Sequence, residues 1–143
     1  MNRLLTGLMV GIGLGAFGVV SAHLHEEQGE SVRVISAMEM EEKVNGQVTT
    51  ATVVEVTIPP GQAGVPHRHP GPTIVYVLEG RYELGIDDKP VKIFKAGETF
   101  YEPAGCLHRV SRNPDASGKT RLIATVLHPR DAKALAIPEK TDE

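Results

Sequence analysis

The stretch Gly61-Gln-Ala-Gly-Val-Pro-His67-Arg-His69-Pro-Gly-Pro-Thr73-Ile-Val-Tyr-Val-Leu-Glu-Gly80 holds two histidines one residue apart. Alternate side chains of an extended strand share a face, so His67 and His69 can point at one centre. A second stretch, Gly97-Glu-Thr-Phe-Tyr-Glu-Pro103-Ala-Gly105-Cys-Leu-His108, ends on a third histidine. Neutral imidazole is a preferred ligand for borderline divalent metals, and three imidazoles leave open coordination positions. His67, His69 and His108 are therefore candidate metal ligands. The expected ion is a divalent transition metal, and the donors alone do not choose among Fe, Mn, Zn, Ni and Cu.

Around these blocks the chain reads as a series of short strands. Val32 to Met38 opens it, whereas Met38 to Lys43 has local helical propensity but is too short to nucleate a helix alone. Val48 to Ile58 is rich in β-branched residues, puts Thr52, Val54, Val56 and Ile58 on one face, and stops at Pro59-Pro60-Gly61. Thr73 to Leu78, Arg81 to Ile86, Val91 to Phe94, Glu98 to Glu102, Leu107 to Ser111 and Arg121 to Leu127 follow, with turn residues between them. Such spacing indicates an all-β sandwich or barrel rather than βαβ units, without separating the two. Asp131 to Ala136 is expected to form about one helical turn, and Ile137 to Glu143 a polar, loosely held tail.

The two histidine blocks resemble the motifs of the cupin superfamily, and of its small single-domain bacterial members with an RmlC-like jelly roll. The first motif runs Gly, five residues, His-x-His, three or four residues, Glu, six residues, Gly. Gly61, His67, His69 and Gly80 fall in register with it. The second runs Gly, five residues, Pro-x-Gly, two residues, His, three residues, Asn, and Gly97, Pro103, Gly105 and His108 match. Thr73 stands at the Glu position, and Arg112 at the Asn position, with Asn113 one place late. The resemblance implies a double-stranded β-helix, or jelly-roll barrel, with a three-His metal site in its wider end and homodimers through paired edge strands. The resemblance covers about residues 50 to 128, and the chain as a whole is expected to divide into a leader at 1–22 (a signal peptide or uncleaved anchor), an N-terminal segment and first strand at 23–47, the barrel at 48–128 and a C-terminal tail at 129–143.

If His67 and His69 face inward, alternation brings Thr73, Val75 and Val77 to the same side, an aliphatic wall. Thr73 is a poor ligand, so a site of three neutral imidazoles keeps the full charge of the ion and favours anionic ligands. Glu102 and Tyr101 are the catalytic candidates. Glu102 can serve as fourth ligand, proton shuttle or substrate partner, but a strand turns only one of these neighbours inward. Tyr76 and Tyr82 read as packing residues with hydroxyls at the rim. Arg68 and Arg109 point outward by parity, and Arg81 and Arg112 are candidates for collecting an anion at the mouth. Cys106, the sole thiol, cannot close an internal disulfide; burial is its commonest fate, and a redox role beside His108 is the alternative.

Arg3 followed by the apolar run Leu4 to Val20, with Val20-Ser21-Ala22 after it, reads as an export signal cleaved after Ala22. An uncleaved anchor is the other reading, since Gly7, Gly11 and Gly15 are spaced four apart as in helix-dimer motifs. A periplasmic or secreted protein is the stronger expectation. Its N-terminus would be His23-Leu24-His25, which resembles a copper or nickel chelating motif but more often is a plain polar leader. The 143 residues carry a formal charge of −3 and no basic run, which argues against nucleic acid and, once the signal is cleaved, against membrane as a partner. With 41% hydrophobic residues the chain can bury a core without staples, resting on Val, Ile and Leu because Trp is absent.

Three functions fit these residues: an Fe(II)-dependent enzyme of the dioxygenase type on a small molecule, an isomerase or lyase on a hydroxy-acid or sugar derivative, or a non-catalytic module holding a small ligand or metal. Whether the chain is an enzyme at all is not written in the motifs. No Ser/His/Asp arrangement and no phosphate-binding glycine loop appears.

Overall fold

The computed structural model describes residues 29–140. The leader, its expected cleavage point and the His23-Leu24-His25 motif lie outside the described residues. Two long strands begin the fold, β1 (Ser31–Val44) and β2 (Gln47–Ile58). They are joined at Asn45-Gly46, where both residues have positive φ, the hairpin geometry whose twist matches right-twisted strands. Then come β3 (His67–Arg68), β4 (Thr73–Glu79), β5 (Arg81–Ile86), β6 (Lys92–Lys95), β7 (Thr99–Glu102), β8 (Leu107–Arg112), β9 (Thr120–Pro129) and β10 (Ile137–Pro138). They form two five-stranded antiparallel sheets, ordered β1-β2-β9-β4-β7 and β10-β3-β8-β5-β6.

Alternation builds the interior. On β4, Thr73, Val75 and Val77 are buried while Ile74, Tyr76 and Leu78 are exposed. On β2, Thr52, Val54 and Ile58 are buried, and Val56 packs against the core. β5 adds Tyr82, Leu84 and Ile86 from the other sheet, so the two sheets share one apolar core. Burial of each large aliphatic side chain contributes roughly 1.5–3 kcal/mol.

Local propensity loses in two places. Met38 to Lys43 is not helical but continues β1, held to β2 by the pairs Met38–Ala51, Glu39–Thr50 and Lys43–Val48 on either side of an irregularity. Asp131 to Ala136 is not helical either. Past a turn at Pro129 to Ala132 the chain runs back to pair Ile137 with Arg68 and Pro138 with His67, so the start of the tail is anchored rather than loose.

One irregularity shapes the site. Along β5 and β8, Gly85 pairs with Val110 but Ile86 pairs with His108, leaving Arg109 as an extra residue in a β-bulge. The bulge lets His108 and Ser111, three residues apart, both face inward. It also accounts for the late asparagine. Asn113 is fully buried, its Nδ2 donating to the carbonyls of Ile58 (3.1 Å) and Gly118 (2.9 Å) and its Oδ1 accepting from the Asp115 amide at 3.0 Å.

Candidate metal centre

Short β3 holds His67, and His69 follows directly after it. His67 pairs directly with His108 across β3 and β8. Gly105, at φ 71° where a side chain would be strained, donates its amide to the His69 carbonyl at 3.0 Å. Arg68 donates Nη1 to the Gly105 carbonyl (2.8 Å) and forms a salt bridge with Glu139 (3.0 Å), tying both histidine motifs to the C-terminal segment. Arg68 thus points away from the histidines, as parity requires.

Carbonyl oxygens set the tautomers. His67 Nδ1 lies 2.8 Å from the Val65 carbonyl, and His69 Nδ1 lies 2.6 Å from the Leu135 carbonyl. A carbonyl only accepts, so both rings carry hydrogen on Nδ1 and a lone pair on Nε2. Those two Nε2 atoms face each other at 3.2 Å. For His108 a longer chain decides. Glu30 accepts from Ser111 Oγ (3.3 Å), which accepts from Tyr82 Oη (2.9 Å), which in turn lies 3.1 Å from His108 Nε2. Because the chain ends on a carboxylate, each member donates outward, and His108 Nε2 carries the hydrogen. Its Nδ1 lone pair then faces His67 Nε2 at 3.2 Å.

Glu102 lies beside the cluster. Its side chain is 2% exposed, with Oε2 at 3.2 Å from His69 Nε2 and Oε1 at 3.6 Å from His108 Nε2. Tyr101, its neighbour on β7, is 59% exposed on the outer face. Of the two catalytic candidates, therefore, only Glu102 comes to the histidines. Lone pairs of His67, His69 and His108 converge, with their ligand atoms within 4.8 Å of one another, an arrangement that repels unless a cation sits at its focus, and the Glu102 carboxylate stands beside it next to His69. The residues present fit a divalent transition metal.

Burial and neighbouring charge divide the ring pKa values. Burial pushes His108 down to about 4; the Glu102 carboxylate opposes this, and His67 and His69 push the same way. At His69 burial also works against the charged form, but the Glu102 carboxylate and the Leu135 carbonyl outweigh it and hold the pKa above the ordinary histidine value. Burial, reinforced by Glu102, raises Tyr82 well above the ordinary phenol value, so it stays a neutral hydrogen-bonding group.

The histidines open onto a cavity of about 90 Å³ whose other walls include Val54, Val75, Leu122, Val126 and Leu135. No Lys or Arg lines it. A wider cavity of about 350 Å³ adjoins it, and Glu30, His67 and Ala136 line both. A third, of about 460 Å³, is lined by Leu84, Phe94, Phe100, Tyr101, Lys89 and Lys92 among others, with no histidine in its wall.

Several expectations are corrected. Tyr82 is buried with its hydroxyl against His108, not at a rim; Tyr76 is on the outer face. Arg81 is paired with Asp115 and Arg112 with Glu83, so neither gathers anions over the histidines. Cys106, by contrast, is free and buried in the core as expected, and burial raises its pKa, which disfavours the reactive thiolate. Ser111, Glu30 and the Leu135 carbonyl were not foreseen. The parity of Tyr82 with Leu84 and Ile86 was a usable signal for Tyr82. Ser111 was hidden by the bulge.

Comparison with known proteins places this geometry. The family model described as the cupin domain matches residues 54–126. A search of curated proteins gives no match. Among solved structures, the chain is similar to the DMSP lyase DddQ from Ruegeria pomeroyi, at 18% identity and TM-score 0.58, covering 79% of this chain and 54% of that one. It is similar to an oxalate oxidase at 20% identity and TM-score 0.56, covering 79% and 56%. An RmlC-like cupin with a double-stranded β-helix fold from Methanocaldococcus jannaschii matches at 15% identity and TM-score 0.58, covering 77% and 91%. This chain thus spans little more than half the length of the lyase and the oxidase, and the likeness to all three is one of fold. From the matched residues, the double-stranded β-helix and the three converging histidines, the chain belongs to the cupin family.

Proposed function

We propose that this cupin is an exported metalloenzyme of the dioxygenase type, using Fe(II) held by His67, His69 and His108 to oxidise a small, weakly polar molecule. One observation carries the reading: the three imidazole lone pairs converge inside an aliphatic cavity of about 90 Å³. The space at the rings holds only a few heavy atoms, and the adjoining cavity of about 350 Å³ past Glu30 and Ala136 gives room for the rest of a small substrate. Iron in such a set supplies activation of dioxygen, chemistry that no side chain here performs. The protein's own part is to fix the rings through Val65, Leu135 and Tyr82, to keep the cavity apolar and to exclude bulk water.

A second reading, a metal-assisted lyase, is favoured by the buried carboxylate beside the histidines, and one of the similar folds is described as a DMSP lyase. Oxygen uptake separates the two. Protein loaded with Fe(II) is expected to consume oxygen with a panel of small thiols, alcohols and carboxylates, and His67→Ala and His69→Ala to lose both metal and uptake while keeping β-sheet circular dichroism. Anaerobic turnover would favour the lyase, and binding without turnover a non-catalytic module.

Two further parts of the proposal rest on other observations. The apolar run before Val20-Ser21-Ala22 supports export with cleavage after Ala22, and N-terminal sequencing of protein from the native host tests it. β1 is an edge strand with Val32, Val34, Ile35 and Met38 47–58% exposed, which supports a homodimer, tested by light scattering.

A further inference from the structure

Resting on that metal-centre reading, we infer that Glu102 is a fourth ligand, supplied from β7 in place of a carboxylate at position 73 on β4. Thr73 and Glu102 are direct partners in the β4–β7 ladder, and both side chains point inward and are buried. A carboxylate that approaches from either strand reaches the same space, since opposed side chains in a ladder stand about 4.5–5.5 Å apart at Cβ.

The state of the carboxylate supports ligation over other roles. Among the described residues, Glu102 Oε2 is the buried side-chain atom left with no hydrogen-bond partner. Buried polar atoms are rarely left so, and an ionised oxygen with no partner is expensive. Its charged neighbours are the rings of His69 and His108, with no Lys or Arg salt bridge to it among the described residues. Hydrogen on His69 Nε2 would satisfy Oε2, but the same Nε2 also lies 3.2 Å from His67 Nε2, whose own hydrogen is on the Val65 side. A proton therefore answers one of these contacts, while a divalent cation answers all of them. Separations of 3.2 Å between His67 Nε2 and His69 Nε2, and between His69 Nε2 and Glu102 Oε2, suit adjacent donors about 2.1 Å from one ion.

The consequence is a change in what the centre selects. Three neutral imidazoles would leave a double positive charge; one carboxylate halves it. With an aliphatic wall and no basic residue, the site then prefers neutral or weakly polar substrates to anions. A ligating Glu102 is also unavailable as a general base.

The test titrates Zn(II) and Co(II) into the full chain, into Glu102→Gln, into the exchange variant Thr73→Glu/Glu102→Gln and into His67→Ala. Removing second-sphere partners commonly costs 10–100-fold in metal affinity, so loss of a ligand in Glu102→Gln is expected to cost roughly 100-fold or more. The exchange variant is expected to recover at least part of that loss by returning the carboxylate from the other strand, which also controls for misfolding. The carboxylate stretch of isotopically labelled Glu is expected to shift on Zn(II) binding in the parent and not in Glu102→Gln. Parent-like affinity and spectrum in Glu102→Gln, with binding lost in His67→Ala, would overturn this assignment alone. A parent chain that binds neither ion would overturn the metal centre with it.

Discussion

Thr73 and Glu102 face each other across the β4–β7 ladder, 0% and 2% exposed, so the threonine at the motif's usual acid position sits beside a carboxylate from the next strand. A motif written along one strand misses such a relocation, because a ladder makes residues adjacent that are 29 positions apart in sequence. The same pair gives the first prediction. Thr73→Glu alone puts two carboxylates opposite each other in a buried site, and like charges so placed destabilise. The metal-free variant is expected to lose about 3 kcal/mol in chemical denaturation, much of it regained with Zn(II) present. An unchanged metal-free midpoint would place side chain 73 away from Glu102.

Truncation after Arg130 removes the Leu135 carbonyl that orients His69, the β10 pairing to β3, and Glu139, the partner of Arg68. The two sheets are expected to persist, since their main ladders lie within residues 31–129. Metal affinity is expected to fall about 10–100-fold. Parent affinity in a calorimetric titration of the truncated chain would show that the C-terminal strap does not position the histidines.

Tyr82→Phe removes the acceptor for His108 Nε2–H and the donor to Ser111. Leaving a buried donor without a partner costs about 1–3 kcal/mol. Nitrogen NMR of the imidazoles is expected to show His108 as a single Nε2–H tautomer in the metal-free parent and a mixture in the variant. A variant with the parent tautomer would mean that the chain to Glu30 does not set it.

Acid is expected to destabilise the metal-free protein through His108. Its folded pKa of about 4 lies below the unfolded value near 6.5, so the unfolded chain binds the extra proton first. The contribution is fully present above pH 6.5 and is lost as pH falls towards 4, about 3 kcal/mol in all. His69, with its pKa raised, contributes in the opposite sense: its share is present below pH 6.5 and fades as pH rises through its folded pKa. His108→Gln should flatten the loss between pH 6.5 and 4 in urea unfolding, and a parental slope there would remove His108 as its source.

What the amino-acid order determined by itself was the class of fold and the three histidines. Period-two burial on β4 and β9 is a local property, and so is the parity that turns His67 and His69 to one side and Arg68 to the other. Tertiary structure alone decided which groups finish the site. Glu102 in place of Tyr101 depends on the register of β7 against β4, and Ser111 on the bulge at Arg109. The Leu135 carbonyl depends on a return of the chain across β3 that local propensity reads as a helical turn. The physical reason is common to all three. Strand alternation is written between neighbours, whereas register, bulges and strand order are set by pairings between residues far apart in the chain, which no local pattern records.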